Sequence, residues 1–217
     1  MEKTRAEVLR YLGRRGQTVP ENLDNLVDEC IALMRKAASF RHVHLSFPIT
    51  NDNNGINLAT AGLLLRGYDI ASHLSGCVQA VVLAATLGAG ADALILKWKR
   101  ADLTRSFVLD ACATQLIEAC CDDIQQQICM EADSSGFSAT CRFSPGYGDF
   151  PLDIQPGILE ALNAGRRIGL TCTENFILLP RKSVTAVIGL AAYDLVSPQG
   201  VACNSCDMHD TCNFRKE

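Results

Sequence analysis

This chain has no excess of positive charge, no long apolar run, no internal repeat and no low-complexity or Pro/Ser-rich linker. Its net charge of -4 removes the electrostatic reason to expect nucleic acid as a partner. The most apolar stretch, Cys77 to Leu96, is broken by Gln79, the Thr86-Leu87-Gly88-Ala89-Gly90 turn and Asp92. It falls short of the roughly 20 apolar residues that a membrane helix needs. No charged-then-apolar leader opens the chain, so a cytoplasmic home is expected rather than secretion. The Thr86 to Gly90 turn lacks the full dinucleotide fingerprint and reads as a strand-to-helix turn. His42, His44 and His73 have no spacing that makes a metal set. With 217 residues, 48% hydrophobic and 20% charged, the chain is globular and long enough for one ordinary core.

What it does have is cysteine, 11 in all. In a reducing compartment these argue for core packing, metal or a cluster rather than disulfides. Cys30, Cys77, Cys112, Cys120, Cys121 and Cys129 fall in apolar periodic segments, where free cysteine acts as a small hydrophobe. Cys203, Cys206 and Cys212 do not. They sit in the polar ending CNSCDMHDTCNFRKE, where x2 spacing lets two thiolates reach one metal and a third can close the site. A [4Fe-4S] cluster could draw its fourth ligand from Cys141, Cys172, a partner or solvent. Zinc could instead take His209, and a tail that binds neither is also open.

Hydrophobic periodicity predicts helices over residues 5–13 and 21–38, the second opened by Pro20 and carrying Leu23, Leu26, Val27, Cys30, Ile31 and Met34 on one face. Strands are expected at 43–49, 80–85 and 184–192, with a turn at Asn51 to Gly55. Further helices are expected at 91–99 and, ended by Gly165, at 154–164. The longest runs from about Thr104 to Glu131 with Leu109, Cys112, Leu116, Cys120, Ile124 and Ile128 as its apolar seam. On its other side Asp110, Thr114, Glu118 and Asp122 recur every four residues. That stripe is either a solvated face or a carboxylate lining for a cationic ligand. The mixture suggests one α+β domain over 1–200, followed by a cysteine-rich tail at 201–217.

Two irregular segments, Arg142 to Pro151 and Thr171 to Ser183, are placed to fold onto one ligand. Pro145-Gly146 suits the centre of a type II turn, because proline presets the first dihedral and glycine takes the positive φ of the second. Arg142 is the natural anion reader, since its planar guanidinium can grip a carboxylate with two parallel hydrogen bonds. A ligand with an α-carboxylate, an amino group and extra positive charge suits Arg142 together with carboxylates such as Glu118, Asp149 or Glu174.

The pieces Arg142, Pro145, Gly146 and Tyr147, then Leu170, Thr171, Thr173, Glu174, Asn175, Pro180, Ser183, Val184 and Thr185, resemble the reactivation domain of cobalamin-dependent methionine synthase. The resemblance runs from about Asp110 to Gly189, and the whole chain is similar to free-standing versions of that domain. It implies a mainly antiparallel sheet with flanking helices, one of them long, and S-adenosylmethionine held at its methionine end by Arg142 and the backbone around Ser144, Pro145, Gly146 and Tyr147. It assigns Glu118 to the pocket, and Glu174 and Tyr193 as further contacts. The family has a proline directly after the tyrosine, whereas here Gly148-Asp149-Phe150 precede Pro151.

The activity so implied is reductive remethylation of cobalamin carried by a partner methyltransferase subunit, with ferredoxin or flavodoxin as electron donor and no nucleic acid or membrane involved. A cluster on the cysteine tail could relay the electron. The alternative is an iron-sulfur or zinc accessory protein for a corrinoid protein, without the methyl-donor role.

Overall fold

The computed structural model describes residues 2–14, 20–52 and 55–192. Two helices lead, α1 (Glu2–Tyr11) and α2 (Glu21–Ala37), followed by strands β1 (Arg41–Pro48), β2 (Thr50–Asp52), β3 (Gly55–Leu58) and β4 (Leu63–Leu65). Next come α3 (Tyr68–His73), β5 (Gln79–Thr86), α4 (Ala89–Ala101) and the 32-residue α5 (Leu103–Ser134). The chain closes its described part with β6 (Phe137–Ala139), α6 (Gln155–Ala161), α7 (Ala164–Ile168), β7 (Thr171–Cys172), β8 (Leu178–Leu179) and β9 (Ser183–Ala192).

The main sheet has the order β1-β5-β9-β6, and every neighbouring pair is antiparallel. Its two central strands are nearly continuous apolar runs because both of their faces are covered. One face, carrying Val81, Leu83, Ala85, Ile188 and Leu190, packs against α1, α2, α4 and α5. The opposite face, carrying Ala80, Val82, Ala84 and Val187, meets a second core built from α3, β3, β4, α6, α7 and Phe150. This is the expected α+β architecture with an antiparallel sheet and one long helix. Among the described residues no helix is long and apolar enough to cross a membrane.

Two sequence expectations need correction. The helix expected over 154–164 is two: α6 stops at Ala161, Asn163 takes a left-handed φ of 50°, and Gly165 lies inside α7, which ends at Gly169 with φ 69°. Along α5 the buried seam passes through Ile117 and Cys121, while Leu116 and Cys120 are half-buried. The helix is wedged between other helices and the sheet, so its buried face is broad and its centre lies one residue from a single-seam reading.

The cysteine packing expectation holds in part. Cys30, Cys112 and Cys121 are buried, whereas Cys77, Cys120 and Cys129 are only half-buried. Burial pushes the thiol of Cys30 up to about 11 and those of Cys112 and Cys121 to about 12, so these three are protonated packing groups at neutral pH.

Candidate functional site

The pleat of β9 decides which side chains reach α5. Val184, Ile188 and Leu190 face the helical layer, and Val187 faces away. Phe143 bridges Val187 and packs on that far side, so its chain neighbour Arg142 points toward α5. Lys182, in phase with Val184, points the same way.

Both cations land on the stripe of α5. Arg142 Nη2 lies 2.7 Å from Asp122 Oδ1 and 3.4 Å from Glu118 Oε2. The Arg142 backbone N–H donates to Gln125 Oε1 at 3.1 Å, and its Nη1 is buried with no hydrogen-bond partner among the described residues. Lys182 Nζ lies 2.9 Å from Asp110 Oδ1 and donates to Thr114 Oγ1 at 2.9 Å. The stripe is therefore a row of ion-pair partners. Asp110 and Asp122, which by pattern alone belong to a solvated face, are about half exposed yet paired, because the segments leading into the turn and into β9 each bring a cation to the helix.

The segment before Arg142 is held by His73, whose Nε2 sits 2.9 Å from Thr140 Oγ1 and 3.0 Å from the Cys141 carbonyl. Burial lowers the pKa of His73, opposed by the bond to Cys141, so the ring is neutral at pH 7. Thr140 Oγ1 in turn accepts the Gly189 N–H at 2.8 Å, locking this segment to β9.

After Arg142 the chain makes the expected type II turn. The Tyr147 N–H donates to the Ser144 carbonyl at 3.2 Å around Pro145 and Gly146, with Gly146 at φ 94°. A second turn bonds Phe150 N–H to the Tyr147 carbonyl at 3.0 Å, and buried Phe150 anchors the loop. Between them Tyr147 stands 66% exposed on a rigid frame.

Asp149 is not available to a ligand in the way its position suggests. Its carboxylate accepts the N–H groups of Tyr68 at 2.6 Å and Asp69 at 2.9 Å, while its own N–H donates to Asp69 Oδ2 at 3.0 Å. Those backbone bonds, the Asp69 N–H first, hold the Asp149 carboxyl below the usual range. A Cβ at Gly67 would come within 2.7 Å of Asp149 Oδ1, and one at Gly148 would overlap the Asp69 carboxylate. The residues between Tyr147 and Pro151 thus form a clasp to the start of α3.

Two neighbours of the cluster carry no sequence signal. The Tyr11 hydroxyl, at the end of α1, is raised mainly by burial, lowered by Arg10 and raised again by the Glu118 carboxylate. Cys121 lies beneath the cluster: its thiol is raised by burial, lowered by Arg142 and raised by Glu118. The stripe spacing could have flagged Asp122; nothing local could have flagged Tyr11.

Glu174 sits exposed at the tip of the β7–β8 hairpin, where the Phe176 N–H bonds the Thr173 carbonyl at 2.9 Å. Among the described residues it makes no ion pair, and nothing joins it to Arg142. Tyr193, Cys203, Cys206, His209 and Cys212 lie outside the described residues. Within those residues no group of three or more metal-ligating side chains could hold an ion.

No protein-family model matches the chain, and no curated protein does. Among solved structures 13 chains are similar. One is the MetH reactivation domain bound to AdoHcy, 17% identical, with a TM-score of 0.66 over 92% of this chain and 78% of that one. The chain has the fold of that domain, as the sequence resemblance implied.

Proposed function

We propose that this protein binds S-adenosylmethionine at the Arg142 cluster and offers its methyl group to the corrinoid of a cobalamin-carrying methyltransferase, methionine synthase being the first choice. The observation that carries this reading is one guanidinium set among two carboxylates, Glu118 and Asp122, beside the preorganised Ser144 to Tyr147 turn. The ligand's α-carboxylate matches Arg142, and its ammonium and sulfonium match the surplus negative charge. A fold shared with a domain solved with AdoHcy supports the same reading. Tyr147 forms the exposed lip, and Glu174 from the second segment and Tyr193 from beyond β9 are further contacts.

The chemistry asked of this chain is positioning. The methyl group passes from the sulfonium to cobalt, sulfur keeps the bonding electron pair, and no proton moves, so no acid or base is required. Arg142 and the turn fix the ligand's methionine end, and the partner supplies the nucleophile. Reduction of the inactive corrinoid needs an electron from ferredoxin or flavodoxin. We assign its relay to Cys203, Cys206 and Cys212, holding a [4Fe-4S] cluster or, in a structural role, zinc. Iron, sulfide and zinc analysis of anaerobically purified protein tests this part. Iron and sulfide in equal amounts are expected, and protein free of metal would remove the relay.

Calorimetric titration tests the binding site. Wild type should bind S-adenosylmethionine, and Arg142→Ala should lose roughly ten- to a hundredfold in affinity, the worth of hydrogen bonds to a charged group. Unchanged affinity in that variant would move the carboxylate site elsewhere.

A further inference from the structure

Arg142 is already engaged. A guanidinium that takes a carboxylate by two parallel bonds must present two N–H groups in one plane. Here Nη2 is held at 2.7 Å by Asp122 Oδ1, Nη1 is buried without a partner among the described residues, and the side chain as a whole is 14% exposed. The two acidic neighbours are not equivalent. Glu118 Oε2 is 3.4 Å from the same nitrogen and its side chain is 38% exposed, whereas Asp122 is bonded closely and 52% exposed. Asp122 is thus the carboxylate with both the short contact and the room to leave.

An incoming α-carboxylate has the charge and shape of the Asp122 side chain and seeks the same N–H groups. Nη2 has two N–H groups and already faces both Asp122 and Glu118, so an incoming carboxylate oxygen at bonding distance would crowd a third anion against it unless the closely bonded Asp122 leaves. Glu118, at the edge of bonding distance, can stay in place and serve the ligand's cationic centres.

We propose that Asp122 is an internal competitor for the ligand's carboxylate: it neutralises and covers Arg142 in the empty protein, and swings to solvent when the ligand binds. This rests on the reading of Arg142 as the carboxylate-binding residue. The consequence is an unusual sign. Removing a negative charge beside a site for a ligand that carries net positive charge should weaken binding by simple Coulomb attraction, whereas removing a competitor strengthens it.

The test titrates wild type, Asp122→Asn and Asp122→Glu with S-adenosylmethionine and with decarboxylated S-adenosylmethionine, which keeps both cationic centres and lacks the carboxylate. Asp122→Asn should bind S-adenosylmethionine about two- to fivefold more tightly, the scale of an exposed ion pair. It should bind the decarboxylated ligand no more tightly than wild type does, and Asp122→Glu should return toward wild type. Equal or weaker binding of S-adenosylmethionine by Asp122→Asn, with wild type binding intact, overturns the competitor role and leaves the proposed function standing. Tighter binding of both ligands also overturns it, since loosening of the cleft would then be general. If neither wild type nor Asp122→Asn binds, the proposed function falls and the inference with it. Far-UV circular dichroism checks the fold of each variant, and Asp122→Ser repeats the measurement without an amide.

Discussion

Asp149 and Gly148 illustrate how a local sequence departure acquires a structural task. Where the related pattern has proline directly after the tyrosine, this chain uses two residues to tie the loop to α3 through three backbone N–H groups. Because those bonds favour the ionised carboxylate, the folded-state pKa of Asp149 lies below its unfolded value of about 4. The clasp's contribution is therefore fully present above about pH 4 and is lost as pH falls through the depressed value. Asp149→Asn should show a shallower acid limb than wild type when urea midpoints are measured from pH 6 downward. Parallel limbs would mean the clasp carries no stability. At this scale Arg142 and the Pro145-Gly146 turn were legible in the sequence, since a guanidinium and a turn dipeptide announce themselves locally. The pairings of Asp149 and Asp122 were not. The partners of Asp149 lie some 80 residues away, and the guanidinium bonded to Asp122 lies 20 away, so no local pattern contains either pair.

Helix α5 carries the carboxylates of the proposed site, and its burial explains why they stay in register. Asp102 caps its N-terminus by accepting the Arg105 N–H at 2.9 Å, and Leu109, Cys112, Ile117, Cys121, Ile124 and Ile128 hold it in the helical core. A rigid helix fixed along its length keeps Asp110, Thr114, Glu118 and Asp122 in register, roughly 6 Å apart per step. The corrected seam can be checked by comparing neighbours. Ile117→Ala removes a side chain 4% exposed and should cost about 2–5 kcal/mol in chemical denaturation, while Leu116→Ala, half-buried, should cost clearly less. The reverse order would restore the seam read from periodicity. Strand β9 was equally legible as an apolar run, but its pleat matters more than its existence: alternation sends Lys182 toward α5, and the bridge of Phe143 to Val187 sends Arg142 there too.

For the whole molecule, the proposed site joins the segment around Arg142 to α5 on the helical face of the main sheet. A ligand that bridges them binds the folded state alone and should stabilise it. At a hundredfold excess over its dissociation constant, S-adenosylmethionine should add about 2.7 kcal/mol. In a chain this size that is a rise of roughly 5–10 °C in Tm. Differential scanning fluorimetry should show it for wild type and lose it for Arg142→Ala at the same ligand concentration. A rise that survives in Arg142→Ala would mean that S-adenosylmethionine stabilises the fold from another place. Local order was set by the sequence itself: the apolar periods made α5 and the buried strands, proline and glycine made the turn, and the arginine brought the charge. Tertiary structure alone decided the pairing of charges. Helix geometry fixes the spacing of the acidic stripe, but which cation crosses each step depends on how the pleat of β9 and the bridge of Phe143 lie against α5, and that follows from packing two apolar cores on opposite faces of one sheet.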